Sequence, residues 1–160
     1  MHGTLGGTTP LIVGIGGTTR AGSSTEMALR AALAAAERMG ARTRAVVGPE
    51  LDLPMYDPAD AERGETARRL VAALAEADGV IVATPAYHGS LSGLVKNALD
   101  YVEDLREALR PYLDGRAVGI MVTAHGPQAL GTALVSARSI VHALRGWPTP
   151  YAAVFTAPDA

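Results

Sequence analysis

A doubly wound, parallel α/β domain is the fold class that this sequence predicts, and three observations predict it. Short β-branched runs alternate with alanine-rich helical stretches; one run, GVIVAT at residues 79–84, is apolar without interruption; and 160 residues without an internal repeat amount to one domain. An unbroken apolar run suits a strand covered on both faces, the usual condition in a parallel sheet. Strands and helices that alternate through right-handed crossovers place such a sheet between helical layers. At this length folding hides roughly 68–70% of the surface that the unfolded chain exposes, enough for a sizeable core.

The elements follow in order. Residues 1–10, rich in Gly and Thr, carry no apolar periodicity and are expected to form a flexible N-terminal tail, leaving a single domain over residues 11–160. Strand one covers 11–15, and the helix over 24–39 stops at Gly40, a residue suited to the left-handed turn that ends helices. Strand two covers 43–47. Turn chemistry follows, in Gly48-Pro49 and in Leu53-Pro54-Met55-Tyr56-Asp57-Pro58, before a helix that begins at Glu62 or Glu65 and ends at Ala77. Strand three at 79–84, helix three at 92–109, strand four at 116–123, helix four at 129–144 and strand five at 151–155 complete the pattern. A five-stranded parallel sheet of order 2-1-3-4-5 is expected, with helices on both faces. Such sheets bind ligands beyond the carboxyl ends of the strands, where the strand order reverses. The loops after strands one, three and four are therefore the candidate sites.

Composition narrows the chemistry. With 14 basic and 16 acidic residues the net charge is −2, so charge alone implies neither a nucleic-acid partner nor a strongly acidic docking face. The absence of cysteine excludes disulfides, thiolate metal sites and a cysteine nucleophile, so redox chemistry has to come from a bound cofactor. The four histidines, His2, His88, His125 and His142, lack metal-ligand spacing, and neither Ser90 nor Ser92 stands in G-x-S-x-G. The apolar run at 11–15 is too short to span a bilayer and no basic segment precedes it; no membrane association and a cytoplasmic location are expected.

The loop after strand one, GIGGTTRAGSST at 14–25, opens directly into a helix. Glycines let backbone approach an anion, a helix N-terminus offers free amides, and hydroxyls and a guanidinium add charge-assisted hydrogen bonds. Thr18, Arg20, Ser23, Ser24 and Thr25 are the candidate ligands of a terminal phosphate such as that of FMN. The dinucleotide pattern G-x-G-x-x-G fails because Thr19 stands at its last glycine. A competing reading leaves Ser23, Ser24 or Thr25 as a plain helix cap and the glycines as a turn.

The stretch after strand three, from Thr84 to Tyr101, is the most specific. A strand ending in T/S-P-x-Y-x-x-S (Thr84, Pro85, Tyr87, Ser90), followed by G-x-x-K-N-A-x-D (Gly93, Lys96, Asn97, Ala98, Asp100), resembles the NAD(P)H-dependent FMN reductases and related quinone and azo-dye reductases, which have a flavodoxin-like fold. The first loop is similar to that family's G-S-x-R-x-x-S-x-N, with Gly17, Thr18, Arg20, Ser23 and Thr25 at its spacings; Thr18 replaces serine and Thr25 replaces asparagine, and both keep a hydrogen-bonding group. The Leu53–Asp57 segment also matches. The resemblance covers residues 11–156. It implies that Pro85, Ala86, Tyr87, His88, Gly89 and Ser90 wrap an isoalloxazine ring, with amides around 87–89 facing its N5 and O4 edge. Lys96 and Asn97, on helix three, are expected to have structural roles.

The loop after strand four matches only in part. The family's S-x-G-x-x-G-like segment is represented by Thr123-Ala124-His125-Gly126-Pro127-Gln128 and a later Gly131, and Thr123, His125 and Gly126 are the candidate cofactor contacts. Family members continue past strand five into another helix, whereas this sequence stops at Ala160, so the resemblance implies a missing cover or one supplied by a partner subunit in a homodimer or homotetramer.

The leading expectation is an oxidoreductase in which FMN N5 does the chemistry and no side chain is catalytic: NADPH or NADH donates hydride, and a small-molecule acceptor, free flavin, quinone or another aromatic, takes the electrons. A flavodoxin-type electron carrier and a flavin-binding module without NAD(P)H turnover are the alternatives. The first is disfavoured by the near-neutral charge and the scarcity of aromatic residues in the three loops. The second is favoured by the irregular third loop.

Overall fold

The structure is a computed structural model that describes residues 8–156. Most of the expected tail, residues 1–7, lies outside the described residues; Pro10 lies within them, and its carbonyl accepts from Arg42 N–H (2.8 Å).

The sheet consists of β1 (Leu11–Gly16), β2 (Arg42–Val47), β3 (Gly79–Tyr87), a short β4 (Ser90–Leu91), β5 (Ala117–Ala124), and two short segments at the outer edge, β6 (Trp147–Pro148) and β7 (Ala153–Thr156). The parallel order is β2-β1-β3-β5, with β6 and β7 both alongside β5, so the expected 2-1-3-4-5 arrangement holds. The helices are α1 (Ser24–Arg38), α2 (Glu65–Glu76), α3 (Gly93–Asp100) and α4 (Pro127–Ala143).

Alternation along the strands sorts the core into two layers. Val13, Ile15, Val80, Val82, Val118, Ile120 and Val122 face α2, α3 and α4, where Leu70, Leu74, Val95, Leu99, Ala133 and Val141 pack on them. Ile12, Ala45, Val47, Ile81, Ala83 and Met121 face the other way, onto Leu29 and Leu33 of α1. Gly14 lies on that second face because a Cβ there would sit 2.8 Å from Leu33 Cδ1 and 2.9 Å from Leu29 Cδ1. Helix α1 is the one described helix on this side. Beyond it, Ala32, Ile81, Gly119, Met121, Tyr151 and Ala153 line a shallow apolar groove of about 190 Å³.

Three elements depart from their expected bounds by more than two residues. The helix expected over 92–109 ends at Asp100 and tightens into a 3-10 turn, Tyr101–Leu105, which buries the adjacent Tyr101 and Val102 together. Strand three runs past Thr84 to Tyr87. The fifth strand, expected as one run at 151–155, is two pieces: Ala117 pairs with Trp147 (30 residues on) but Met121 pairs with Ala153 (32 residues on), so two extra residues loop out between them. Pro148 and Pro150 lack the N–H that an unbroken ladder needs. The bend is held instead by Arg138 Nη2, which donates to the carbonyls of Thr149 (3.3 Å) and Pro150 (2.8 Å).

Arg116, fully buried before β5, fastens the C-terminal end of α2. Its Nε donates to the Ala77 carbonyl (2.9 Å), Nη2 to that of Ala75 (2.7 Å) and Nη1 to that of Tyr112 (3.2 Å). Burial, and then the neighbouring Arg110, lower its pKa from the ordinary arginine value. No helix of the described residues is long and apolar enough to cross a membrane. Arg116→Met should leave these carbonyls unpaired and destabilise the fold by about 3 kcal/mol. Urea denaturation measures this, and a loss below about 1 kcal/mol would contradict the fastening role.

Candidate functional site

Three strand ends meet at the carboxyl edge of the sheet. At the end of β1 the backbone passes so close to β3 that a Cβ at Gly16 would lie 2.0 Å from the Ala83 carbonyl oxygen, and Gly17 N–H donates to that same oxygen (3.3 Å). Gly17 adopts φ 103°, a conformation that favours glycine, and turns the chain across the edge. Residues 17–23 then lead into α1. Ser23 is its N-cap: the hydroxyl accepts from Glu26 N–H (3.3 Å). The buried Glu26 carboxylate accepts from Gly22 N–H (3.1 Å) and from Arg30 Nε (2.8 Å), closing a box around the first turn. Thr18 Oγ1 accepts from Arg20 N–H (3.1 Å), tightening the turn before it. The Arg20 side chain is exposed and pairs with no carboxylate among the described residues.

The segment after Thr84 is a hairpin. Ala86 pairs with Leu91 and Tyr87 with Ser90, leaving His88 (φ 51°) and Gly89 (φ 85°) as its two-residue tip, the backbone signature of a type I′ turn. Thr84, fully buried, anchors it: the hydroxyl accepts from Ser92 N–H (3.0 Å) and donates to the Pro85 carbonyl (2.9 Å). The third wall is the end of β5. There Thr123 Oγ1 lies 2.6 Å from Thr25 Oγ1, both residues buried, so the first and third walls share a hydrogen bond.

These walls enclose a cleft of about 260 Å³ lined by Thr18, Arg20, Ser23, Ser24, Thr25, Pro85, Ala86, Tyr87, Thr123, Ala124 and His125. Ten of the fourteen expected residues are therefore brought together. The other four, His88, Gly89, Ser90 and Gly126, are not among its lining. His88 and Gly89 form the hairpin tip, and Gly126 caps α4; Gly89 and Gly126 line a neighbouring hollow with Gln128, Ala129 and Thr132. A smaller hollow shares Thr18, Pro85 and Tyr87 with the cleft and adds Gly17, which the first-loop motif includes, together with Thr19, Ser92 and Leu94, which were not among the expected site residues. Glu26 was missed, and Thr84, although part of the strand-three motif, had no role assigned to it. The spacing Ser23-x-x-Glu26 was the available signal for Glu26, since it is the capping-box pattern.

Lys96 and Asn97 take the structural roles expected of them. Lys96 pairs with Asp100 one turn on (2.6 Å) at the surface. Asn97, buried, pins the segment after β2: Nδ2 donates to the Leu53 (3.2 Å) and Pro54 (2.9 Å) carbonyls, and Oδ1 accepts from Tyr56 N–H (2.8 Å). Tyr101 Oη donates to the Pro54 carbonyl (2.9 Å). Arg63 lies over the rings of Tyr56 and Tyr101 and pairs with Asp104 at 2.7 Å. Burial, and then the Asp104 carboxylate, raise the Tyr56 pKa above the ordinary tyrosine value, with Arg63 opposing.

The sequence profile of the NADPH-dependent FMN reductases matches residues 10–159. The chain belongs to the NADPH-dependent FMN reductase family. FMN and NADPH are the cofactor and the donor for which that family is named. Among curated relatives, the chain is 37% identical over 87 residues to a 2-hydroxy-1,4-benzoquinone reductase of Burkholderia sp (51% of this chain, 43% of the relative). It is 40% identical over 79 residues to the quinone reductase of Escherichia coli (strain K12), covering 47% of this chain and 40% of that one. The matches thus span less than half the length of these relatives. Among solved structures, the fold is similar to an NADH:FMN oxidoreductase (EMOB) in its apo form, with a TM-score of 0.74, 26% identity, and coverage of 92% of this chain and 76% of that one. The cleft depends on the edge of β1 lying against β3. Gly16→Ala, which drives a Cβ into the Ala83 carbonyl, is expected to destabilise the protein by about 4 kcal/mol or more. A thermal melt unchanged from the parent would contradict that packing.

Proposed function

We propose that this family member is an NAD(P)H-dependent flavin oxidoreductase whose FMN occupies the cleft formed by the loops after β1, β3 and β5. The observation that carries the reading is the split character of the lining. At one end stand Ser23, Ser24, Thr25, Arg20 and the N-terminus of the 15-residue α1, all hydrogen-bond donors or a positive field. At the other stand Pro85, Ala86 and the exposed ring of Tyr87. The donor set suits a terminal phosphate, and the apolar strand end suits a flat aromatic ring, so the residues fit FMN.

In this reading Arg20, Ser23, Ser24 and Thr25 hold the phosphate, with Thr18 fixing the turn. The Pro85-Ala86-Tyr87 strand end and the Thr123-Ala124-His125 wall flank the ring. His88, Gly89, Ser90 and Gly126 lie outside the cleft lining and come into the reading as its rim. When bound, FMN supplies the two-electron, hydride-accepting chemistry, and the protein's part is to bind, orient and shield. Tyr87, at the cleft mouth, limits how a donor or acceptor approaches. No titrating side chain is needed in the cleft, since backbone and hydroxyl dipoles fixed by Thr84 and Ser23 are already oriented before a ligand arrives. NADPH or NADH is the donor and a small aromatic, a quinone, free flavin or azo compound, is the acceptor; the names of the relatives support that class. A cytoplasmic location belongs to the same reading.

The first test is the absorption spectrum of the purified protein after incubation with FMN and desalting. Retained flavin bands are expected, along with NAD(P)H oxidation that a quinone accelerates; a colourless protein that takes up no FMN overturns the assignment. Arg20→Ala is expected to weaken FMN binding by about 1.5–3 kcal/mol in a fluorescence-quench titration. Unchanged affinity removes Arg20 from the phosphate site.

The assembly belongs to the proposal as well. A homodimer or homotetramer is supported by the open groove beside α1 and by the exposure of Tyr151 and Phe155 on that face. Sedimentation equilibrium should give two or four times the monomer mass, and a monomer at micromolar concentration excludes it.

A further inference from the structure

The hydroxyl pair Thr25–Thr123 joins two walls of the cleft across 98 residues of sequence, at 2.6 Å, with both residues at most 4% exposed. A threonine hydroxyl has one proton and two acceptor lone pairs. In a bonded pair one proton is spent between the two oxygens, and a single proton remains to point into the cleft. An anion offers only lone pairs, so whichever hydroxyl touches it must be the one that still has its proton. Thr25 stands in the first turn of α1, beside Ser23 and Ser24 and among the free amides of the helix N-terminus, where an anion is held most strongly. Thr123 stands at the end of β5, and among the described residues its side-chain hydrogen bond to the helix is the one to Thr25.

We propose that Thr123 is a positioning residue for the phosphate: it donates to Thr25 Oγ1, which commits the Thr25 proton to a phosphate oxygen. Chains of hydrogen bonds polarise one another, so the donated bond also strengthens the one that Thr25 makes. Thr25 replaces the asparagine that the family pattern has at this position. An asparagine amide donates without a supporting partner, whereas a threonine hydroxyl has no fixed direction until something accepts from it or donates to it. Thr123 supplies that direction. This inference rests on the proposal that FMN occupies the cleft and adds a residue on β5 to its phosphate site.

The test compares FMN with riboflavin, which has the same ring and no phosphate. Dissociation constants for both are measured by flavin fluorescence on parent protein, Thr123→Val, Thr25→Val, the double variant and Thr123→Ser. The ratio of riboflavin to FMN dissociation constants is expected to fall about three- to tenfold in Thr123→Val, the worth of one neutral to partly charged hydrogen bond. It should be restored in Thr123→Ser, and it should fall no further in the double variant than in Thr25→Val alone. A ratio unchanged in Thr123→Val, or two additive losses, overturns the proposal while FMN binding by the parent stands. A parent that binds neither flavin, or both equally, overturns the phosphate assignment and this proposal together. Should Thr123→Val not fold, as judged by circular dichroism, Thr123→Ala gives the same comparison.

Discussion

Everything at the carboxyl edge depends on how closely β1 runs beside β3. Gly16 leaves no room for a side chain against the Ala83 carbonyl, and Gly14, one pleat earlier, lets Leu29 and Leu33 lie on the strand itself. Together these contacts draw α1 down onto the sheet and carry residues 17–23 across the end of β3. The helix N-terminus therefore opens toward Pro85–Tyr87.

With the strands this close, the loops are fixed by buried hydrogen bonds more than by apolar packing. Thr84 holds the hairpin to the start of α3, Asn97 holds the segment after β2, and Thr25 meets Thr123 across the cleft. Each is a polar group with at least one partner inside the protein, as burial demands. Such bonds are directional, so they set the angle of a loop as well as its place. A cleft built this way is ordered before it is filled, and binding then costs less ordering of the protein.

Much of this was legible in the sequence, for identifiable reasons. The unbroken apolar run at 79–84 marked β3 because a strand covered on both faces has no polar side to alternate with. The hydroxyl-rich turn before α1 declared itself because caps and anion sites call for the same residues. What stayed hidden depended on distance. Thr25 and Thr123 are 98 residues apart, and nothing local to either says that they meet. The tip at His88–Gly89 read as a ligand loop, although histidine followed by glycine also suits a hairpin turn. The shortened α3 was hidden too, since the same buried spacing serves an α-helix and a 3-10 turn for one or two turns. Arg116 gave no signal: a lone arginine opening an expected strand looks like a surface residue until α2 is seen to end over it.

The looped-out residues between β6 and β7 have a further effect on how the sheet ends. An outermost strand with a regular row of free amides and carbonyls is a template on which another chain can add and propagate. Here that row is broken after two residues, restarts out of step after a four-residue gap, and meets two prolines without a donor at the break. The Arg138 guanidinium occupies the carbonyls of Thr149 and Pro150 at the break. The margin is thereby poorly suited to runaway strand addition, even though Val154 and Phe155 are exposed on it.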